Sequence, residues 1–253
     1  MDIFKINYAD LESSEKKQMF YDFSINTQES CMEFSDNIQV LAQLTFINRV
    51  YNSYKEAIVQ AGKKMPILIS DGINLLWDYL ENKSSKEAFE KFSNGINVIS
   101  LYINTGDDSE FEDNNEFVYK YLDEWKGNTD LIILLNTVAA LFMQISEGGI
   151  DFYSISEDCI LGELNELVGE CFEEICTNPT GAYKYDELEL HITEACESRI
   201  FTKVMTLLIE DIKEAVKYKE TDLEGINKLR EKYSSEFLLS SDEINKLVEY
   251  YRS

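Results

Sequence analysis

Ile38, Leu41, Leu44, Ile47, Tyr51, Tyr54 and Ile58 follow one another at three- and four-residue steps. That spacing lays apolar side chains along one face of an α-helix and does not fit the two-residue alternation of a half-buried strand. The period returns through most of the chain, and only two prolines and eleven glycines are present to interrupt it. A chain of 253 residues with so few turn formers is poorly suited to a succession of β-hairpins. The pattern predicts an all-α protein, a compact multi-helix bundle of about eight to ten helices.

Ile69, Ile73, Leu76 and Leu80 form a second stripe behind Pro66, a residue suited to the first turn of a helix. Phe89, Phe92, Ile96, Ile99 and Ile103 form a third, with Ser84 and Glu87 at capping-box spacing. Residues 130–146 are apolar nearly all round, which predicts the central buried helix, capped by Asn128 or Thr129. Leu161, Leu164, Val168, Cys171 and Ile175 continue the series to the turn sequence TNPTG at 177–181. A long helix is expected from about Asp186 to Lys219. Two short helices close the chain, marked by Thr221 with Glu224 and Ser240 with Glu243. Gly-Ile-Asn recurs at 72, 95 and 225, at intervals too irregular for a solenoid. The length suits one domain over residues 1–253, with two packed halves, 1–150 and 151–253, as the alternative division near Gly148-Gly149.

Apolar residues make up 44% of the chain, enough for a packed interior despite a formal charge of −25. The charge is segregated: residues 101–200 hold 23 acids and four bases, and thus −19 of the total. Such a chain lacks the basic footprint a phosphate backbone requires, so nucleic acid is an unsuitable partner, and an anionic membrane surface would repel it. The most apolar run, LIILLNTVAALFMQI at 131–145, is too short to span a bilayer and contains Asn136. The N-terminus, MDIFKINYADLESSEKK, has no secretory pattern. Five cysteines at irregular spacing do not form a disulfide framework, and a reducing cytoplasm is the expected location. Nineteen lysines against four arginines suggest an AT-rich bacterial coding bias.

The stretch GDDSEFEDNNEF at 106–117 carries six carboxylates, but a calcium loop needs glycine at its sixth position. Counting from Asp107 that position is Glu112, and from Asp108 it is Asp113. Cys171, Cys176, His191 and Cys196 match no structural zinc spacing well, and Cys171 and Cys196 lie on apolar stripes. The single histidine excludes a bundle site built from two Glu-x-x-His elements, and no cysteine has a recognised nucleophile context. There is no glycine-rich phosphate loop and no dinucleotide fingerprint. The sequence therefore points to a protein that is not an enzyme and carries no cofactor and no metal.

What remains is surface. Between residues 106 and 127, acids are interleaved with Phe111, Phe117, Tyr119, Tyr121 and Trp125. Aromatic anchors rimmed by charge are typical of protein interfaces, and acids facing a basic partner raise its association rate. The candidate partner-binding residues are Asp107, Asp108, Glu110, Phe111, Glu112, Asp113, Glu116, Asp123 and Glu124. The competing reading is a solvated loop leading into an amphipathic helix whose aromatics face the core.

QVLAQLTFINRVYNSY, ILISDGINLLWDYL and NTVAALFMQISEGGIDFYSIS together resemble all-helical immunity proteins of bacterial polymorphic toxin systems. In such proteins, as in related bacterial helical proteins, a helix ending in Trp-acid-aromatic-Leu, here Trp77-Asp78-Tyr79-Leu80, precedes an Ala-rich apolar helix and a Gly-containing turn. The resemblance covers about residues 36–165 and transfers no site residue, because no residue within it performs chemistry. It implies an inhibitor that binds a cognate toxin domain, typically a basic nuclease, as in contact-dependent inhibition. The alternatives are an acidic structural or adaptor protein and a carboxylate-based metal-dependent enzyme.

Overall fold

The computed structural model describes residues 2–109, 111, 115–125, 131–152, 196–197 and 199–252. The protein is all-α. Among the described residues there are nine α-helices, three short 3₁₀ turns and no strand. The helices are α1 (Ser13–Cys31), α2 (Asp36–Gln60), α3 (Ile67–Leu80), α4 (Lys86–Thr105), α5 (Asn115–Tyr121), α6 (Ile132–Glu147), α7 (Arg199–Ala215), α8 (Leu223–Tyr233) and α9 (Ser241–Arg252). The stripe expected at 161–175, the TNPTG turn and the first part of the Asp186–Lys219 helix lie outside the described residues.

The central helix is α2, not the 130–146 segment that its composition suggested. Every residue of α2 from Ile38 to Tyr54 is buried, and α3, α6, α7, α8 and α9 all pack on it. α6 is more apolar but peripheral, with Met143 on the surface. Composition misleads here because the polar side chains of α2 are spent on partners inside the protein. Gln39 donates to the carbonyl of Phe34 at 3.1 Å and Gln43 to that of Asp151 at 2.8 Å. Asn52 donates to the carbonyls of Tyr233 and Glu236, both at 2.8 Å, and the Ser53 hydroxyl accepts from the N–H groups of Leu238 and Leu239. A buried polar group is tolerated when it is hydrogen-bonded, and these pairs satisfy loop backbone that helices leave without partners.

The strongest of these contacts is ionic. Arg49 forms a bidentate pair with Asp211 of α7 at 2.8 and 3.0 Å, and donates to Glu236 at 2.8 Å. The Tyr233 hydroxyl donates to Asp211 at 2.5 Å, and the Arg49 guanidinium lies 4.9 Å from the centre of the Tyr233 ring. Arg49 and Asp211 are 7% and 1% exposed, so neither charge has water as a substitute partner.

Close approach shapes the other side of the bundle. A methyl group at Gly72 of α3 would sit 3.1 Å from Val138 of α6 and 3.3 Å from Phe92 of α4, so glycine lets the three helices meet. Asn136, the polar residue within the apolar run, accepts from Ser100 and Asn104 of α4 at 2.8 and 2.9 Å. α4 ends at Gly106 and α6 at Gly148, both in the left-handed conformation that glycine adopts without penalty.

Two caps differ by one residue from expectation. Ser85, not Ser84, accepts from the Ala88 N–H at 3.1 Å, because the Ser84 N–H is still bonded to Asp78 in the turn that closes α3. Asp222, not Thr221, caps α8 by accepting from Gly225 at 2.9 Å, where a carboxylate also complements the helix dipole. The box expected at the start of α9 is present: Glu243 accepts from the Ser240 N–H at 2.7 Å and donates its own N–H to the Ser240 hydroxyl at 3.4 Å.

Replacing Arg49 with Met should cost about 3–5 kcal/mol in urea denaturation, since it leaves Asp211 buried without its cation. Arg49→Met combined with Asp211→Leu should recover much of that loss. Glu243 gives a pH signature. Burial opposes its ionisation, but hydrogen bonds from Lys203 and from the N–H and hydroxyl of Ser240 outweigh this and bring its pKa down to about 2. Because the folded pKa lies below the unfolded one, its stabilisation is present above about pH 4.5 and is lost as pH falls toward 2. Glu243→Gln should therefore destabilise on the order of 2 kcal/mol at pH 7, with the gap to wild type closing by about pH 2.

Candidate functional site

The acidic stretch begins where α4 stops. The Gly106 N–H returns to the Tyr102 carbonyl at 2.7 Å, and the Thr105 hydroxyl accepts from the Asp107 N–H at 3.1 Å. Asp107 in turn accepts from the Ser109 N–H at 2.9 Å, and that bond holds its carboxyl below the usual carboxylate range. Asp107 and Asp108 are both exposed. Phe111 is half-buried: its ring rests on Tyr102 with centroids 4.8 Å apart, at the edge of the core. Glu110, Glu112 and Asp113 lie outside the described residues.

α5 and the 3₁₀ turn Leu122–Trp125 sort the remaining candidates by helical phase. Phe117, Val118, Tyr121 and Trp125 point inward and are buried, whereas Glu116, Tyr119, Lys120 and Asp123 point outward. The inward set is tightly held. Phe117 packs edge-on against Phe92 at 5.2 Å and against Tyr121 at 4.7 Å, over the space left by Gly95. The Tyr121 hydroxyl donates to Asp71 at 2.7 Å, and Lys120 lies 3.4 Å from the same carboxylate. Burial is the leading cause that raises the Tyr121 pKa, so its hydroxyl remains a donor.

Of the candidate acids, Glu124 has an internal task. It accepts from the Ile67 N–H at 2.7 Å, satisfying a first-turn donor of α3. Glu116 is solvated and reaches Lys91 at 3.1 Å, a pair exposed on both sides and worth little to stability. Asp107, Asp108, Glu116 and Asp123 therefore form the outward acidic set among the described residues. Tyr119, 76% exposed on the same face of α5 as Glu116, is the aromatic that the sequence list left out. Its phase was readable: 116, 119 and 123 fall on one face of a helix, and 117, 121 and 125 on the other.

Among the described residues, no three His, Cys, Asp or Glu side chains are grouped so as to hold a metal ion. Cys171, Cys176 and His191 lie outside the described residues, and Cys196 is buried with its thiol pushed up to about 11, first by burial. No described helix is long and apolar enough to cross a membrane. The chain matches no protein-family model, no curated protein and no solved structure. Fold and surface thus define an acidic helical bundle with an outward carboxylate face beside an exposed tyrosine. That face is equipped to accept charge-assisted hydrogen bonds from lysine and arginine.

Gly95→Ala would drive a methyl group into the Phe117 ring, which is hemmed in by Phe92 and Tyr121. It should lower stability by about 1–3 kcal/mol, whereas Tyr119→Ala should stay within about 0.5 kcal/mol of wild type. Thermal unfolding of the two variants checks both outcomes.

Proposed function

We propose that the protein is an immunity protein that binds and neutralises a cognate bacterial toxin domain with a basic surface, a nuclease being the class whose phosphate-binding groove carboxylates can imitate. The observation that carries this reading is the exposure of Asp107, Asp108, Glu116 and Asp123, the last two on the same side of α5 and its following turn as the exposed Tyr119, within a hundred-residue stretch that holds −19 of the net charge. Carboxylates dispersed for solubility alone need no such segregation. Acids beside an exposed aromatic supply both steering and a contact that desolvates on binding. The resemblance of residues 36–165 to all-helical immunity proteins supports the same class. The inhibitor performs no catalysis; it occupies the partner's substrate groove.

The test is co-expression with the toxin-like domain encoded immediately upstream, followed by association kinetics at low and high salt. One-to-one binding that abolishes toxicity is the expected result, and absence of binding overturns the reading. Neutralising Asp107, Asp108, Glu110, Glu112 and Asp113 together should slow association about tenfold or more at low salt, and much less at 1 M salt.

A further inference from the structure

A recess lies between α2, α3 and α8, and meets the acidic stretch at Ile67, whose N–H is bonded to Glu124. It is a half-open cleft of about 440 Å³. Acids outnumber bases two to one in the chain, yet no described residue lining this cleft is an Asp or a Glu, and the two charged ones are Lys55 and Arg230. The Trp77 indole and Ile73 are buried along it, with Tyr51 and Met65 beside them. An apolar floor with a few convergent polar groups is the usual form of a small-molecule site.

The polar groups divide into those that build the cleft and those left to face a ligand. Asn48 is committed: its carbonyl oxygen accepts from the Trp77 Nε1–H at 2.7 Å, and its amide donates to the Tyr233 carbonyl at 3.4 Å. Asn52 donates to the same carbonyl, so these two amides fix α8 against α2. Arg230 is positioned from behind. One terminal nitrogen contacts Asp78 at 2.7 Å and Glu81 at 3.3 Å, and the other donates to the Asn74 oxygen at 3.3 Å. A guanidinium has five N–H donors, so this bracing orients the fork without exhausting it. With its oxygen taken by Arg230, Asn74 keeps its NH₂ as a donor. Lys55 sits 5.5 Å from the centre of the Tyr51 ring and has no carboxylate partner among the described residues. Burial is the leading cause that raises the Tyr51 pKa, against a hydrogen bond with Ser70 that lowers it, so that hydroxyl stays protonated and is shared with Ser70 at the rim.

The first turn of α3, with Ile67 and Ser70, also borders the cleft. Its dipole is not the recognition element, because Glu124 already occupies the Ile67 N–H. Recognition falls to Lys55 and Arg230, assisted by Asn74 and Tyr51. Two cations and neutral donors above an aromatic floor match an anionic head on a flat or apolar body. We propose that this cleft binds a small organic anion, its phosphate or carboxylate head between Lys55 and Arg230 and its body against Tyr51 and Met65. This site shares no lining residue with the acidic surface and does not depend on that reading.

The Trp77 indole N–H provides a reporter at the floor of the cleft, distinguishable by NMR from that of Trp125. Titrations with inorganic phosphate, phenyl phosphate, benzoate and benzyl alcohol, on the full chain and on Lys55→Gln, test the proposal. A saturable shift of the Trp77 signal by a phosphate probe or by benzoate is expected, and which of them saturates identifies the head group. Lys55→Gln, an exposed position that should leave folding intact, should weaken that binding about three- to tenfold. The proposal is overturned if no anion saturates the signal, if benzyl alcohol binds as well as the anions, or if Lys55→Gln leaves the affinity unchanged.

Discussion

The buried pair of Arg49 and Asp211 ties together regions that are far apart in sequence. Arg49 belongs to the central helix, Asp211 to α7, and Tyr233 and Glu236 to the end of α8 and the loop after it, and all four meet at one point. Desolvating two charges is expensive, and a buried pair is stable only when its remaining donors and acceptors are also engaged. Here the second carboxylate, the phenol and the aromatic face do that. The cluster is selective in consequence: a register in which α7 slid by one residue would strand a charge, whereas a purely apolar contact would tolerate the shift.

The same logic extends along α2. Its apolar faces contact helices, and most of its amides and hydroxyls contact loops and helix ends. Loop carbonyls at Phe34, Asp151 and Glu236, the last carbonyl of α8 at Tyr233, and loop N–H groups at Leu238 and Leu239 all end on α2 side chains. A helix buried on every side can therefore have modest hydrophobicity, because each polar residue spares a loop the cost of an unsatisfied backbone group. The arrangement also places Trp77 and Asn48 at the floor of the α2–α3–α8 cleft, so the shape of that cleft follows from the packing of the core.

This division explains which parts of the molecule were legible. The stripes of α2, α3 and α4 could be read because their buried residues repeat at the helical period and their exposed ones are charged. α1 went unread since Ser13–Cys31 mixes polar and apolar residues with almost no periodic contrast, and its start rests on a capping box made by Glu12 and Glu15, outside the usual Ser/Thr pattern. The rank of α6 was misjudged for the opposite reason: local apolarity reports how much a helix can bury, while centrality depends on partners distant in sequence. Within the acidic stretch, charge density was visible but orientation was not. Glu124 reads as one more surface acid until the start of α3, 57 residues earlier, is placed against it.

The folded protein has to hold its negative charge against self-repulsion, and the way it does so separates two kinds of acid. Those that brace the fold are drawn to cations or helix ends: Asp211 to Arg49, Asp78 and Glu81 to Arg230, Glu243 to Lys203, Glu124 to the first turn of α3. Among the described residues Asp107 and Asp108 have no such cation, and Glu116 has only a solvated one. Glu116 and Asp123 are carried on a short helix and the turn after it, anchored from beneath by Phe117, Tyr121 and Trp125. A contact between Tyr121 and Asp71 keeps that helix in place even though its outer carboxylates repel one another. Burial of these three aromatics beneath the helix offsets the repulsion that its exposed carboxylates impose on the free protein.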